Sequence, residues 1–204
     1  MTETAIFSIA ILIMSIVVHE VSHGWAALSQ GDPTAKYAGR LTLNPISHID
    51  PVGSILVPLV SALLSPGLMF GWAKPVPINP YNFRHRRFGE FFVSIAGPAS
   101  NLVIALIVGL IIRFWGDVLP TATVTILAVT VIINIVLALF NLVPIPPLDG
   151  SKILLSVLPD SMANFKNILD RYGMIFTILF IFFLWKYLTP LIYIVFTLIT
   201  GVHM

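Results

Sequence analysis

The chain has 204 residues and no cysteine, and 57% of its residues are hydrophobic while only 10% are charged. Soluble domains carry about 25% charged residues, so this composition and a mean hydropathy of +0.97 exclude a mainly soluble protein and predict an integral membrane protein in contact with the lipid bilayer. The formal net charge of +2 is too small to indicate a nucleic-acid partner. The lack of cysteine excludes disulfides, thiol catalysis and cysteine-ligated metals in this sequence.

The apolar segments predict an all-α polytopic helical bundle with about five to six transmembrane segments, short extended or re-entrant stretches, and a single membrane-embedded domain over residues 1–204. A helix needs about 20 mostly apolar residues to cross the hydrocarbon core. Four segments meet that length well and a fifth is shorter: 5–28, 91–115, 121–143, 172–188 and 190–202. Residues 52–72 are long enough to cross, but prolines and glycines interrupt them.

Two polar stretches separate these segments. Residues 31–50 are punctuated by glycine and proline and partly alternate, so we expect a loop with short strands there. Residues 146–173 predict one or two short helices at the membrane surface.

The lysines and arginines orient the spans, because cytoplasmic loops carry an excess of them. They crowd loops 31–50, 73–90 and 146–172, whereas the link 116–120 has none. We therefore predict that the three loops are cytoplasmic and that residues 116–120 lie outside. A single crossing by 52–72 would put two of these loops on opposite sides. We therefore expect that segment to dip into the membrane and return, or to lie against the protein.

The sequence HEVSH, residues 19–23, stands where the first span should be entirely apolar. On a helix, positions i and i+4 share one face with Cβ atoms about 6 Å apart, so His19 and His23 can direct two imidazole nitrogens at one metal ion. Glu20 can then reach a water molecule on that ion. The competing interpretation is a chance match with buried, hydrogen-bonded histidines. Each ionisable group at mid-membrane costs about 2.5–3.5 kcal/mol, which favours a compensating metal.

A catalytic zinc takes three protein ligands and keeps one position open. Without cysteine, the third ligand must be a carboxylate or another histidine. Among the acidic candidates, Glu3 is near the N-terminus, Glu90 opens the second span, and Asp117 falls on the predicted outer side. Asp149 follows the cytoplasmic end of the span 121–143, on the same side as His23. The competing interpretation of its PLDG sequence is an ordinary turn.

Several motifs together resemble the site-2 protease family, peptidase family M50, of intramembrane zinc metalloproteases. They are HEVSH (19–23), NPISHIDPVGS (44–54), GWAKPVPINP (71–80), GPASN (97–101) and NLVPIPPLDG (141–150), and they resemble the compact prokaryotic members that lack a PDZ domain. The resemblance implies one Zn²⁺ ion bound by His19, His23 and Asp149, with Glu20 as general base. It also implies that Asn141 helps to hold the substrate or the developing oxyanion. Asn101 would either bind the substrate too or make a polar contact within the helical core.

The resemblance further implies a multi-pass protein of a prokaryotic cell membrane, with its active site nearer the cytoplasmic side. Its substrates would be transmembrane segments of other proteins, which must unwind locally before a peptide bond can be attacked. The extended stretches at 31–50 and 71–80 could pair with the unwound strand. The sequence does not indicate an oligomeric state.

Two other functions are compatible with the same residues. A membrane metal-ion carrier could use His19, His23 and Asp149 as a transport site, although we find no inverted repeat of the kind that transporters offer. A non-catalytic relative could bind membrane helices without cleaving them. Neither would require Glu20 beside the ligands. His48 and Asp50 are either partners of the metal ligands or parts of a structural turn.

Overall fold

The computed structural model describes residues 2–56 and 73–202, and these ranges are helical with no strand. The α-helices are α1 Thr2–Ser29, α2 Thr34–Tyr37, α3 Arg86–Trp115, α4 Thr121–Asn141, α5 Asp149–Val157, α6 Ala163–Leu179 and α7 Trp185–Thr200. The 3₁₀ turns are Pro45–His48, Pro80–Asn82, Gly116–Val118 and Asp160–Met162, and the π-helical turns are Pro51–Leu56 and Phe180–Leu184. The predicted all-α membrane fold is therefore confirmed.

Three of these helices are long and apolar enough to cross a membrane, within the ranges that the structure describes: Ala5–Ser29, Arg86–Val118 and Thr121–Asn141. They correspond to the first three predicted spans. Helices α6 and α7 make a fourth only if they count as one span, because they are bent by 71° relative to each other. The described residues thus hold three or four candidate spans, whereas five to six were predicted for the whole chain, including the segment 52–72 that lies largely outside the described residues.

Within the described residues, the structure differs from the prediction at the two C-terminal segments. Residues 172–188 and 190–202 were predicted as separate spans, but the break falls at the π-helical turn Phe180–Leu184 and Pro190 lies inside α7. A π-helical turn is a recognised cause of sharp helix bends. The break therefore lies several residues before the predicted boundary between 172–188 and 190–202.

Helix α3 is the centre of the bundle and packs against α1, α4, α5 and α7. Its small residues allow these close approaches: Ala105 is completely buried, and a side chain added at Gly109 would meet Ile199 of α7. The apolar core between α3, α4 and α7 consists of Ala105, Ile112, Val131, Ile135, Ile192 and Phe196.

The loops that were predicted to share one face lie at the same end of the bundle. The Arg84 N–H donates to the Gln30 carbonyl over 2.9 Å, and the Lys74 N–H donates to the His48 carbonyl over 2.9 Å. Arg87 donates to the Leu158 carbonyl, which links the segment after α5 to the same end. The predicted dip at 52–72 lies largely outside the described residues, since 57–72 are not among them.

The prediction of short strands within 31–50 is wrong. This part of the chain forms α2 and the turn Pro45–His48 instead. The Asp32 carboxylate accepts from the Thr34 N–H over 3.1 Å, and the Asn44 side chain accepts from the Ile46 N–H over 3.1 Å. Such local side-chain bonds favour turns over strands. The helices predicted within 146–173 are present as α5 and the first part of α6.

Candidate metal centre

His19 and His23 lie one turn apart on α1, and each side chain is almost completely buried. Their rings meet edge to face, with centroids 4.7 Å apart and planes at 85°. The two Nε2 atoms are 3.0 Å apart. The predicted sharing of one helix face is therefore realised.

Asp149 is the first residue of α5. It lies beside these histidines in space, although it is 130 residues from His19 in the sequence. Its Oδ2 atom lies 3.1 Å from Nε2 of His19 and 3.1 Å from Nε2 of His23. Its position depends on close packing of α5 against the end of α4, because a Cβ at Gly150 would collide with the Leu142 carbonyl. Lys152, one turn along α5, holds its Nζ 3.6 Å from the other carboxylate oxygen.

The three ligand atoms form a nearly equilateral triangle that fits a zinc ion. Two tetrahedral ligands at about 2.0–2.1 Å from zinc are separated by roughly 3.3 Å, close to the 3.0–3.1 Å found here. Two imidazoles and one carboxylate are also a donor set that zinc accepts. Within the part of the chain that the structure describes, this is the one group of acidic and histidine side chains arranged to hold a metal.

The Nδ1 atoms of the two histidines form hydrogen bonds on the side of each ring that faces away from the triangle. His19 Nδ1 is 2.7 Å from Oδ1 of Asn101, and His23 Nδ1 is 2.6 Å from the carbonyl of Val93. Because both partners are acceptors, each Nδ1 must carry the proton and donate it. Each Nε2 therefore presents its lone pair to the centre of the triangle, as a metal ligand requires.

A buried polar network continues from Asn101. Its Nδ2 donates to Oδ1 of Asn134 over 2.9 Å and to the Ser15 carbonyl over 3.2 Å. Asn134 donates in turn to Oγ of Ser15 over 3.0 Å. An unpaired polar group in the membrane costs several kcal/mol, whereas a satisfied interhelical hydrogen bond there contributes only about 0.6 kcal/mol. The network therefore stabilises the bundle little and instead fixes the position of Asn101 behind His19.

Glu20 lies beside the triangle, and its Oε2 atom accepts the backbone N–H of Val76 over 2.8 Å. Glu20, the three triangle residues and the segment around Val76 line one cavity of about 450 Å³. The triangle and Glu20 therefore face the same cavity. Its remaining walls are formed by Pro75, Ile78, Pro80, Phe83, Glu90, Val93, Ser94, Asn141, Pro147 and Lys152.

The other predicted residues fall in different places. Asn141 lines the cavity, and its Nδ2 donates to the Leu137 carbonyl over 2.9 Å. Asn101 has no exposed surface and is not among the residues that line the cavity. It makes the contact in the helical core that was expected from the sequence, and its assignment to substrate binding stays a prediction. Glu90 lines the cavity without joining the triangle, and Asp117 belongs to the opposite end of the bundle.

His48 and Asp50 serve local turns. Nε2 of His48 donates to the Thr42 carbonyl over 2.9 Å. The Asp50 carboxylate accepts from the N–H groups of Val52 and Gly53 at the start of the next turn. These bonds agree with the structural-turn alternative for the SHIDP sequence.

Sequence reasoning missed Asn134, Ser15 and the Val93 carbonyl. Asn134 and Ser15 are polar residues inside apolar spans, and that signal could have singled them out. The Val93 carbonyl is a backbone group, and only the packing of α1 against α3 reveals its role.

Fold and site together define an integral membrane protein whose helices enclose a three-residue site suited to a metal ion. The model of "Peptidase family M50" matches residues 111–182, a region that includes Asp149. The chain is 41% identical over 187 residues to "Putative zinc metalloprotease YwhC" of Bacillus subtilis, and this alignment covers 88% of the chain and 79% of that relative. The chain belongs to peptidase family M50, the site-2 protease family.

Longer relatives match as well. "Putative zinc metalloprotease Rip2" of Mycolicibacterium smegmatis is 35% identical over 147 residues, which are 71% of this chain and 54% of the relative. "Putative zinc metalloprotease sll0528" of Synechocystis is 33% identical over 147 residues, which are 72% of this chain and 30% of the relative. No solved structure matches the chain.

Proposed function

We propose that this protein is an intramembrane zinc-dependent endopeptidase, with one zinc ion held by His19, His23 and Asp149 and with Glu20 as its general base. The observation that carries the proposal is the triangle of Nε2, Nε2 and Oδ2 atoms at 3.0–3.1 Å, inside a cavity that Glu20 also lines. Membership of a peptidase family and the name of the relative that is 41% identical support the same reaction.

The metal would supply a Lewis acid that polarises water and the carbonyl of the peptide bond. The residues of the chain supply the remaining functions. His19 and His23 donate their Nδ1 protons to Asn101 and Val93, which keeps both Nε2 atoms free to ligate. The Asp149 carboxylate contributes the negative charge that makes a cation tolerable in the membrane.

Glu20 is the group placed to move a proton. As general base it would accept a proton from the attacking water and return it to the leaving amine. Asn141 lines the same cavity and carries an amide that could donate to the substrate backbone or to the developing oxyanion. Asn101, in contrast, acts through His19.

The substrates that we propose are transmembrane segments of other proteins, cleaved from the cytoplasmic side. The loops that carry most of the lysines and arginines lie at the metal-site end of the bundle, which supports that orientation. Water would enter from the same end. A helical substrate hides its carbonyls in internal hydrogen bonds, so it must be extended where it enters the cavity.

The test is cleavage of a model transmembrane substrate by the purified full chain, in the presence and absence of a zinc chelator. We expect cleavage within or beside the transmembrane segment, its loss with the chelator, and its return when zinc is added. Mass spectrometry of the products locates the cleaved bond. Zinc uptake into vesicles without any cleavage would support a carrier instead, and binding without cleavage would support a non-catalytic relative.

A further inference from the structure

Residues Lys74–Pro80, which we call the strap, form part of the cavity wall through Pro75, Val76, Ile78 and Pro80. Prolines stand at positions 75, 77 and 80. A proline fixes its own φ and pushes the residue before it toward extended conformations, so the strap cannot form a helix. Prolines also lack an N–H, and Val76 is therefore the one residue between Lys74 and Ile78 that can donate a backbone hydrogen bond.

Buried side chains hold the strap on both sides of Val76. Before it, the Arg40 guanidinium donates to the Lys74 carbonyl over 2.7 Å. After it, the Asn79 N–H donates to the Asp32 carboxylate over 2.7 Å. Arg40 and Asp32 are both buried, and their hydrogen bonds to the strap are partly buried, so the strap is fixed at one point before Val76 and at one point after it.

Val76 is also packed directly against α1. Val76 is 5% exposed, and a Cβ added at Gly24 would lie 3.1 Å from Cγ1 of Val76. Gly24 lies four residues after Glu20, so the valine rests on the same helix face next to the glutamate. The strap is therefore fixed against α1 at Val76 as well as by the hydrogen bonds at Lys74 and Asn79.

This arrangement points the Val76 N–H at Oε2 of Glu20, 2.8 Å away. None of the described residues donates a hydrogen bond to Oε1 of Glu20. The strap therefore holds one oxygen of a carboxylate that lines the cavity beside the triangle. In many enzymes the general base is oriented by a third group in this way.

We propose that the backbone N–H of Val76 is a positioning group for the reaction, which holds the Glu20 carboxylate in its catalytic orientation. The proposal rests on the proposed function, because it assigns Glu20 the proton transfer. It differs from a purely structural role for the strap, since it concerns one N–H group and one carboxylate. Zinc binding does not involve this hydrogen bond.

Val76→Pro tests the proposal, because it removes the N–H from a position that already lies between two prolines. Val76→Ala is the matched reference, since it keeps the N–H and loses the side chain. Relative to Val76→Ala, we expect Val76→Pro to lower kcat by about 10- to 100-fold, which is part of the roughly 10²- to 10⁴-fold that a general base contributes. KM for the model substrate should change by less than about twofold, and the bound zinc should stay the same.

Amide hydrogen exchange supplies a readout that needs no catalysis. In zinc-loaded full-length protein labelled with ¹⁵N, we expect Glu20→Ala to accelerate exchange of the Val76 amide. The Asn79 amide, which donates to Asp32, is the internal control and should keep its protection. This experiment leaves the strap sequence unchanged.

Equal kcat values for Val76→Pro and Val76→Ala would overturn the proposal, and so would unchanged protection of the Val76 amide in Glu20→Ala. Loss of zinc from Val76→Pro would show a structural effect and would also overturn it. If the wild-type protein cleaves no membrane substrate, the proposed function fails, while the exchange experiment still decides whether Glu20 holds the strap.

Discussion

Gly97→Ala should weaken zinc binding by this protein without altering any ligand. A Cβ at Gly97 would lie 2.6 Å from both Cε1 and Nε2 of His19, and it would also collide with Nε2 of His23. The optimal separation between non-bonded heavy atoms is about 3.5–4.0 Å, so the His19 ring must move away from the new Cβ by roughly 0.9 Å, and the His23 ring must move as well. Metal sites tolerate ligand displacements of only about 0.2 Å.

The imidazoles cannot retreat freely, because each Nδ1 is already hydrogen-bonded behind the ring. Partners of this kind change metal affinity by about 10–100-fold when they are disturbed. We expect Gly97→Ala to weaken zinc binding by at least about 100-fold, or about 2.7 kcal/mol. The opposing effect is the better helix propensity of alanine, which is worth only about 1 kcal/mol and does not act on the metal.

The assay is competition for zinc between the purified variants and a chelator of known affinity. Two glycines farther from the metal site serve as controls, Gly109 within α3 and Gly116 just after it. A Cβ at Gly116 meets nothing closer than 3.6 Å, so Gly116→Ala should behave as wild type. A Cβ at Gly109 collides with Ile199, so Gly109→Ala should lower thermal stability and keep zinc affinity. Near wild-type zinc affinity in Gly97→Ala, or equal losses in Gly109→Ala, would refute this reasoning.

Three further predictions concern the network, the loops and the topology. Asn101→Leu removes the acceptor of the His19 Nδ1 proton, and it should weaken zinc binding by about 10–100-fold in the same competition assay; an unchanged affinity would contradict a positioning role. Burial acts to raise the pKa of Asp32, but hydrogen bonds from neighbouring groups outweigh it and hold that pKa below its ordinary value. The ionised Asp32 thus stabilises the fold above the ordinary carboxyl pKa of about 3.9 and loses this effect as pH falls through the lower folded value. Asp32→Asn should therefore melt at a lower temperature at pH 7, and the difference should shrink in acid; a constant difference would contradict this. In a chain without native cysteine, single cysteines at 36 and 86 should be labelled from the cytoplasmic side and one at 117 from outside, and labelling of 36 and 86 from opposite sides would contradict the topology.

The sequence predicted the centre of this site because the chemistry is local or forced by topology. The spacing of His19 and His23 follows from helix geometry alone. The charge distribution predicted that Asp149 would be on the same side as His23, and the structure brings their side-chain atoms to 3.1 Å. Both inferences required only periodicity and the distribution of lysine and arginine.

The remaining features depend on packing between distant helices. Asn134 reaches Asn101 because α3 and α4 pack closely, and no pattern within α4 specifies that partner. The bond from Val76 to Glu20 uses a backbone donor, which side-chain patterns do not reveal. From the sequence, Gly97 is apparent only as part of the GPASN motif. Its close approach to the imidazoles depends on how α1 and α3 pack, which the sequence pattern does not reveal.

The central claim is that His19, His23 and Asp149 bind zinc while Glu20 performs the proton transfer. The most direct test measures bound zinc and cleavage of one transmembrane substrate in parallel, for the wild type, Glu20→Gln and Asp149→Ala. Glu20→Gln should keep nearly one zinc per chain and lose cleavage, because the three ligands remain. Asp149→Ala should lose both, since it removes a ligand and the charge that offsets the cation. Loss of zinc from Glu20→Gln, together with zinc and activity retained by Asp149→Ala, would contradict the account.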